Sequence, residues 1–532
     1  MKKDDITILR DSVGLITSDS SNVENVQTLL NSTGCGFCLA KFTQVTMHLG
    51  TGFVHSCHHP KPHKISVEEI EKDYRALFNT SHLKQVRKEM LNNQKPSECD
   101  YCWRIEDDGN ISDRSFKSIK SWALDHHDEI SQYKGDEIIS PTYLEVSFSN
   151  VCNMSCLYCG PEFSSKWVED LKQKGPMKVL EGLGKKERWV QGWQDLDNLN
   201  IPNREYNPYI NAFWKWFPEV YPKLKTYRIT GGEPLMSKET FRSMDWLAAN
   251  PNPGLDFSIN TNLNVPDKLW NTFIEKLVKI KDTMGITVFT SIEAWGKRAE
   301  YLRRGLDFDV FKKRYEQLAQ LGNVKVVIMA AYNVLSISSF QQFLEWQLEM
   351  KQTYNYNGAA CLHWEKNTSY KFREGMTNIE LKKRSPSHVV PLGLDIPYLR
   401  HPKFLDAQIC SDTLVQDYMI PTMNFMANNT VDNKWAMHSG FELNEMYKLK
   451  SITEHRLKVS QSATENLDTY DHYNKITIPR AELYDFLNRK DERDGTNFLE
   501  TFPEMAEFYE ECRLAKEIVK SKYKIITVDN VV

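Results

Sequence analysis

Cys152, Cys156 and Cys159 stand in a C-x3-C-x2-C spacing within a chain of 532 residues. Thiolates are soft ligands suited to zinc and to iron–sulfur clusters. A cubane 4Fe–4S cluster has four irons and is usually held by four cysteines. Three close thiolates hold three irons and leave the fourth open, and an open metal position is where a ligand reacts, as in catalytic zinc sites. The same spacing also fits a zinc or ferredoxin-type site that takes a fourth ligand from elsewhere. A second group precedes it: Cys35, Cys38, Cys57, Cys99 and Cys102. Cys35/Cys38 and Cys99/Cys102 are C-x2-C pairs of the kind used by four-cysteine zinc sites. Their separation of ~60 residues is much longer than the ~15–20 of a zinc ribbon. His48, His55, His58, His59 and His63 lie between the pairs, as further ligands or as plain polar loop. Cys361, Cys410 and Cys512 are isolated and read as small buried hydrophobes. Eleven cysteines in a chain this long do not form a disulfide scaffold.

Loops that carry such ligands need rigid strands behind them. Residues 143–149 alternate as a strand and run straight into Cys152. Further strand patterns follow at 226–230, 255–260, 285–292, 324–331 and 359–364, with helical patterns at 238–249, 267–280, 298–321 and 336–350 between them. Strands separated by helices of this length imply parallel βαβ units, in an open doubly wound sheet or a partial barrel. In both, active-site groups gather at the C-terminal ends of the strands. Residues 166–221 are too long for one crossover and rich in aromatics. They read as an insertion with its own apolar core or as a flap over the site. The expected organisation is a lead-in (1–32), a cysteine-rich domain (33–135) with a helical stretch at 67–90, an α/β domain (136–365), and a mainly helical and irregular extension (366–532). Helices are expected in that extension near 479–489 and 504–522.

The cysteine spacing, with Tyr158 directly before the last thiol, resembles the signature of the radical S-adenosylmethionine superfamily. Gly231-Gly232-Glu233-Pro234, at the end of the next strand, resembles that family's GGEP motif. Ser258, Asn260 and Asn262 are similar to its polar strand end facing the cofactor. Ser291-Ile292-Glu293 with Arg303-Arg304-Gly305 resembles its Ser-Ile-Asp and Arg-Gly pair, with Glu293 departing from the usual Asp. Asn333 matches a position near the adenine. The resemblance covers roughly 143–364. It implies a partial (β/α)6 barrel, a 4Fe–4S cluster on Cys152, Cys156 and Cys159, and S-adenosylmethionine on the open iron. The implied activity is reductive cleavage to a 5′-deoxyadenosyl radical that takes a hydrogen atom from a peptide, protein or small metabolite. An electron donor such as flavodoxin or ferredoxin is implied as partner. The first cysteine group, with Glu106, Gly109, Ser112 and Arg114, is similar to the twitch type of auxiliary-cluster domain, a relative of the SPASM domain, here placed before the radical domain. That likeness implies a second 4Fe–4S cluster on Cys38, Cys57, Cys99 and Cys102, with Cys35 as a spare.

Composition sets the bounds. Hydrophobic residues make up 41% and charged residues 26%, an ordinary globular balance. A net charge of -4 gives no electrostatic case for a nucleic-acid partner. No apolar run approaches the ~18 residues of a membrane span, and the charged start lacks a secretory signal, so a cytoplasmic location is expected. The rival functions are a non-catalytic zinc-binding interaction module and an iron–sulfur electron-transfer protein.

Overall fold

The computed structural model describes residues 20–180, 196, 199–202, 205–321, 323–355, 392–430, 440–465 and 472–529. The strands, in chain order, are β1 (Gln44–His48), β2 (Phe53–His55), β3 (His63–Lys64), β4 (Tyr143–Ser147), β5 (Ser155–Cys156) and β6 (Thr226–Thr230). They continue with β7 (Asp256–Thr261), β8 (Gly285–Ser291), β9 (Arg303–Arg304), β10 (Lys325–Met329) and β11 (Leu392–Asp395). Nine of them form one sheet in the order β11-β10-β8-β7-β6-β4-β1-β2-β3, and β5 pairs with β9 as a separate antiparallel ribbon. All pairings from β11 to β1 are parallel; β2 and β3 close the edge antiparallel. The chain is therefore a mixed α/β protein on a largely parallel sheet. No helix among the described residues is long and apolar enough to cross a membrane.

The parallel strands add to the sheet in sequence order, with no switch point. Parallel crossovers are right-handed in ~98% of cases, so a sequential order puts the connecting helices on one face. The side chains agree. A cross-strand row of Met47, Val146, Ile229, Ile259, Val288 and Val326 is fully buried. Each such side chain contributes ~1.5–3 kcal/mol by leaving water. The opposite face carries Glu145, Arg228, Thr230, Asn260 and Ser291, and most of these are only half-buried. A polar, partly open face is where this sheet can hold a ligand.

The strand expected at 359–364, with Cys361, lies outside the described residues, and the strand that pairs with β10 is β11. The single helical pattern at 298–321 is two helices, Lys297–Leu302 and Phe308–Ala319. Between them β9 pairs with β5, and Gly305 turns at φ +100. Asp307 then caps the second helix, accepting from the Asp309 and Val310 amides. In the aromatic stretch, Phe213, Trp216 and Phe217 lie on the crossover helix Pro208–Val220 and belong to the main core. Residues 181–195 are outside the described segments. β1 is unanticipated: the cysteine-rich segment contributes a strand that pairs with β4.

The C-terminal helices Ile478–Asp494 and Ala506–Asp529 pack on each other and dock behind the β5–β9 ribbon. Asp170 accepts from Arg304 at 2.9 Å and from Arg493 at 2.6 Å, and Arg304 also pairs with Asp494. Arg298 makes a two-pronged bridge to Glu504, and Tyr301 donates to Asp491.

Candidate functional site

Cys152, Cys156 and Cys159 lie in the segment that leaves the C-terminal end of β4, Cys156 within β5, all half-buried. The start of the helix Ser165–Lys174 holds that loop. The Cys152 amide donates to the Ser165 hydroxyl at 3.2 Å, Ser164 donates to the Met154 carbonyl at 2.6 Å, and the Trp167 indole donates to the Cys156 carbonyl at 2.9 Å. Gly305 leaves room for the Asn153 carbonyl, which a Cβ there would meet at 2.8 Å. Burial pushes the Cys152 thiol up to about 12, raises Cys156, and holds Cys159 well above the ordinary range, with the neighbouring thiols adding to it at Cys152 and Cys159. A metal bound here takes thiolates, so binding releases their protons.

The turn Gly231–Pro234 packs on the same loop. The Gly232 amide donates to Ser149 and the Glu233 amide to Val151, at 3.2 and 2.7 Å. Gly231 has φ +117, and a Cβ on Gly232 would stand 2.4 Å from the Val151 carbonyl. The glycines thus let two backbones meet beneath the cysteines. The Glu233 carboxylate accepts from the Leu235 and Asn262 amides at 3.0 and 2.7 Å, and burial raises its pKa to about 7. The Asn262 amide group donates to Asn153 inside the cysteine loop at 2.9 Å.

Tyr158, Glu293 and Arg303 form one buried cluster. The Arg303 Nε lies 3.1 and 3.0 Å from the two Glu293 oxygens, its Nη2 donates to Glu293 and to the Tyr158 hydroxyl, and Nη1 reaches the Cys156 sulfur at 3.9 Å. Tyr158 donates to Glu293 at 3.1 Å. Burial alone would lower the Arg303 pKa, but Glu293 outweighs it and the guanidinium stays charged. Glu293 is fully buried, and its carboxylate is spent on Arg303. Glu293 thus fixes an arginine beside a cysteine.

Asn260 accepts both Arg228 bonds, at 3.1 and 3.0 Å, and Ser258 sits in register with Arg228 on the polar face. Ser291 ends β8 on that face. Asn333 is fully buried with its side chain closed on its own turn, donating to Ala331 and accepting from Leu335.

In the cysteine-rich segment, Cys38, Cys57, Cys99 and Cys102 line a single small pocket, together with Ser56, whose buried hydroxyl has no partner among the described residues. Cys35 stands outside it, exposed, with its thiol on the Asn93 carbonyl. Burial raises Cys57, Cys99 to about 12 and Cys102 to about 11. Arg114 braces the pocket: it binds Glu106 at 2.7 Å and the Phe37 carbonyl at 2.9 Å, and Ser112 donates to Glu106 at 2.5 Å. Among the described residues no three His, Cys, Asp or Glu side chains converge as ligands of a single ion. That bears on a single ion and says nothing either way of a cubane, whose thiolates stand on separate irons.

Between the two thiol groups lies a cavity of about 390 Å³, bounded by Gly231 on one side and by His58 and Pro60 on the other. His48 and His55 face it with Nε2 atoms 3.1 Å apart, and the His55 Nδ1 meets the Cys57 carbonyl. Burial, then His55, lowers the His48 pKa to about 4, and burial lowers His55 and His58 too. Thr46 and Glu145 complete the polar wall. Both escaped the sequence reading. A charged residue inside the apolar alternation of a central strand was the available signal.

No family model, curated protein or solved structure matches the chain.

Proposed function

We propose that the chain is a radical S-adenosylmethionine enzyme. The observation that carries this reading is the three-cysteine loop at the end of β4, with the Gly-Gly-Glu-Pro turn of the next strand hydrogen-bonded onto it. Six parallel strands in sequential order, β4-β6-β7-β8-β10-β11, suit a partial (β/α)6 barrel with a polar inner face. Cys152, Cys156 and Cys159 would hold a 4Fe–4S cluster, and Cys38, Cys57, Cys99 and Cys102 an auxiliary one. Such a cluster with S-adenosylmethionine would supply one-electron reductive cleavage of the cofactor and hydrogen-atom abstraction from a substrate. The protein's own groups bind and orient. Glu233 offers its remaining lone pairs to an amino group, a charge-assisted contact. Arg303, locked by Glu293 and Tyr158, keeps a positive charge beside Cys156 and favours its thiolate. An electron donor of the flavodoxin or ferredoxin type and a peptide or small-metabolite substrate complete the reading.

Anaerobic reconstitution tests it. The expected content is about eight irons and eight sulfides per chain, about half of them lost when Cys152, Cys156 and Cys159 are replaced together. Stoichiometric zinc without acid-labile sulfide contradicts it.

A further inference from the structure

The cavity between the thiol groups is lined by a buried carboxylate that has no direct ion-pair partner among the described residues. This is Glu145, about nine-tenths buried. Among the described residues its carboxylate accepts from two hydroxyls, Thr230 at 3.2 Å and Tyr143 at 3.3 Å. Arg228 is its cross-strand neighbour and reaches the Tyr143 hydroxyl, but makes no direct ion pair with Glu145. Arg228 donates to Asn260 and stacks over Phe289, and Lys41 pairs with Glu98. A buried carboxylate without a direct ion pair gains from a cation that can reach it. A second group awaits a partner. Thr46 is 2% exposed and lines the same cavity, and its buried hydroxyl has no hydrogen-bond partner among the described residues. Phe163 and Pro60 add apolar wall, against which the stem of a ligand can pack.

We propose that this cavity binds a ligand through a protonated amine or guanidine that pairs with Glu145 and bonds to Thr46. Glu145 and Thr46 lie at the same level of neighbouring strands, in register across β1 and β4, so one nitrogen can serve both. The cavity volume suits a basic side chain or an amino sugar. The proposal rests on the enzyme reading only in making that ligand the substrate, held between the two thiol groups.

The test is calorimetric titration of the anaerobically reconstituted full chain. The probes are a blocked arginine peptide, its uncharged citrulline counterpart, and glucosamine as a second source of the cation. At least one cation is expected to bind saturably, with citrulline roughly ten-fold weaker or more than arginine if the peptide is the source. Glu145→Gln, which keeps an acceptor for Thr230 and Tyr143, removes the preference for charge. Thr46→Val, which loses no hydrogen bond among the described residues, weakens binding several-fold without moving the melting temperature. The proposal is overturned if neither cation binds, if citrulline binds as well as arginine and glucosamine does not bind, or if both variants bind unchanged. Displacement of the bound probe by S-adenosylmethionine overturns it too, because the cavity would then be the cofactor's. Iron and sulfide measured on the same samples keep the readings apart. Clusters without cation binding sink this proposal alone, and cation binding without clusters sinks the enzyme reading alone.

Discussion

Glu233 and Arg303 show how far single side chains are committed before any ligand arrives. Burial raises Glu233 to about 7 from 4.5, so across that interval the folded chain keeps a proton that the unfolded chain has lost. Stability therefore falls as pH rises through the interval, by up to ~1.4 kcal/mol per unit. Glu233→Gln should remove that slope, as read from urea midpoints of the metal-free chain between pH 5 and pH 7, with wild type as reference. Equal slopes would show that this carboxyl is ionised throughout. Arg303→Ala strands the fully buried Glu293 and should cost ~3–5 kcal/mol in the same assay. A loss under ~1 kcal/mol would mean that the cluster is not the buried pair described. The sequence marked Glu293 and Arg303 as site residues. Their mutual pairing was hidden, because partners ten residues apart across a helix leave no periodic trace.

At the scale of elements, the alternation of apolar and polar residues located β4, β6, β7, β8 and β10 closely, since a sheet buried on one face writes its period into the chain. It missed β1, whose Gln-Val-Thr-Met-His alternation stands among cysteines and histidines that drew attention to ligation. It also fused the helices on either side of β9, because two short helices in phase look like one long helix. The cysteine-rich elements give a direct test of ligand choice. The helices Asp100–Asp107 and Asp113–Ser118, pinned together by Glu106 and Arg114, bring Cys99 and Cys102 to the pocket of Cys38 and Cys57, and Cys35 faces away. Cys35→Ser should leave the iron content of the reconstituted chain unchanged, and Cys38→Ser should lower it by up to about half. The reverse pattern would make Cys35 the ligand.

Across the whole molecule, one sheet joins the two thiol groups: β1 follows Cys38 and lies beside β4, which leads to Cys152. The C-terminal helices, expected near 479–489 and 504–522, anchor the opposite side of the cysteine loop through Asp170 and Arg304, a docking that the sequence hid because the partners lie far apart in the chain. This arrangement holds two candidate clusters and a cavity in fixed relation. The central claim is that the β4 loop cleaves S-adenosylmethionine, and formation of 5′-deoxyadenosine measures it most directly. The reconstituted chain, reduced anaerobically with dithionite, should form it. The variant lacking Cys152, Cys156 and Cys159 should not, whereas folded protein lacking Cys99 and Cys102 should retain the cleavage. Absence of 5′-deoxyadenosine from a chain loaded with iron and sulfide, or undiminished formation by the triple variant, would contradict the account.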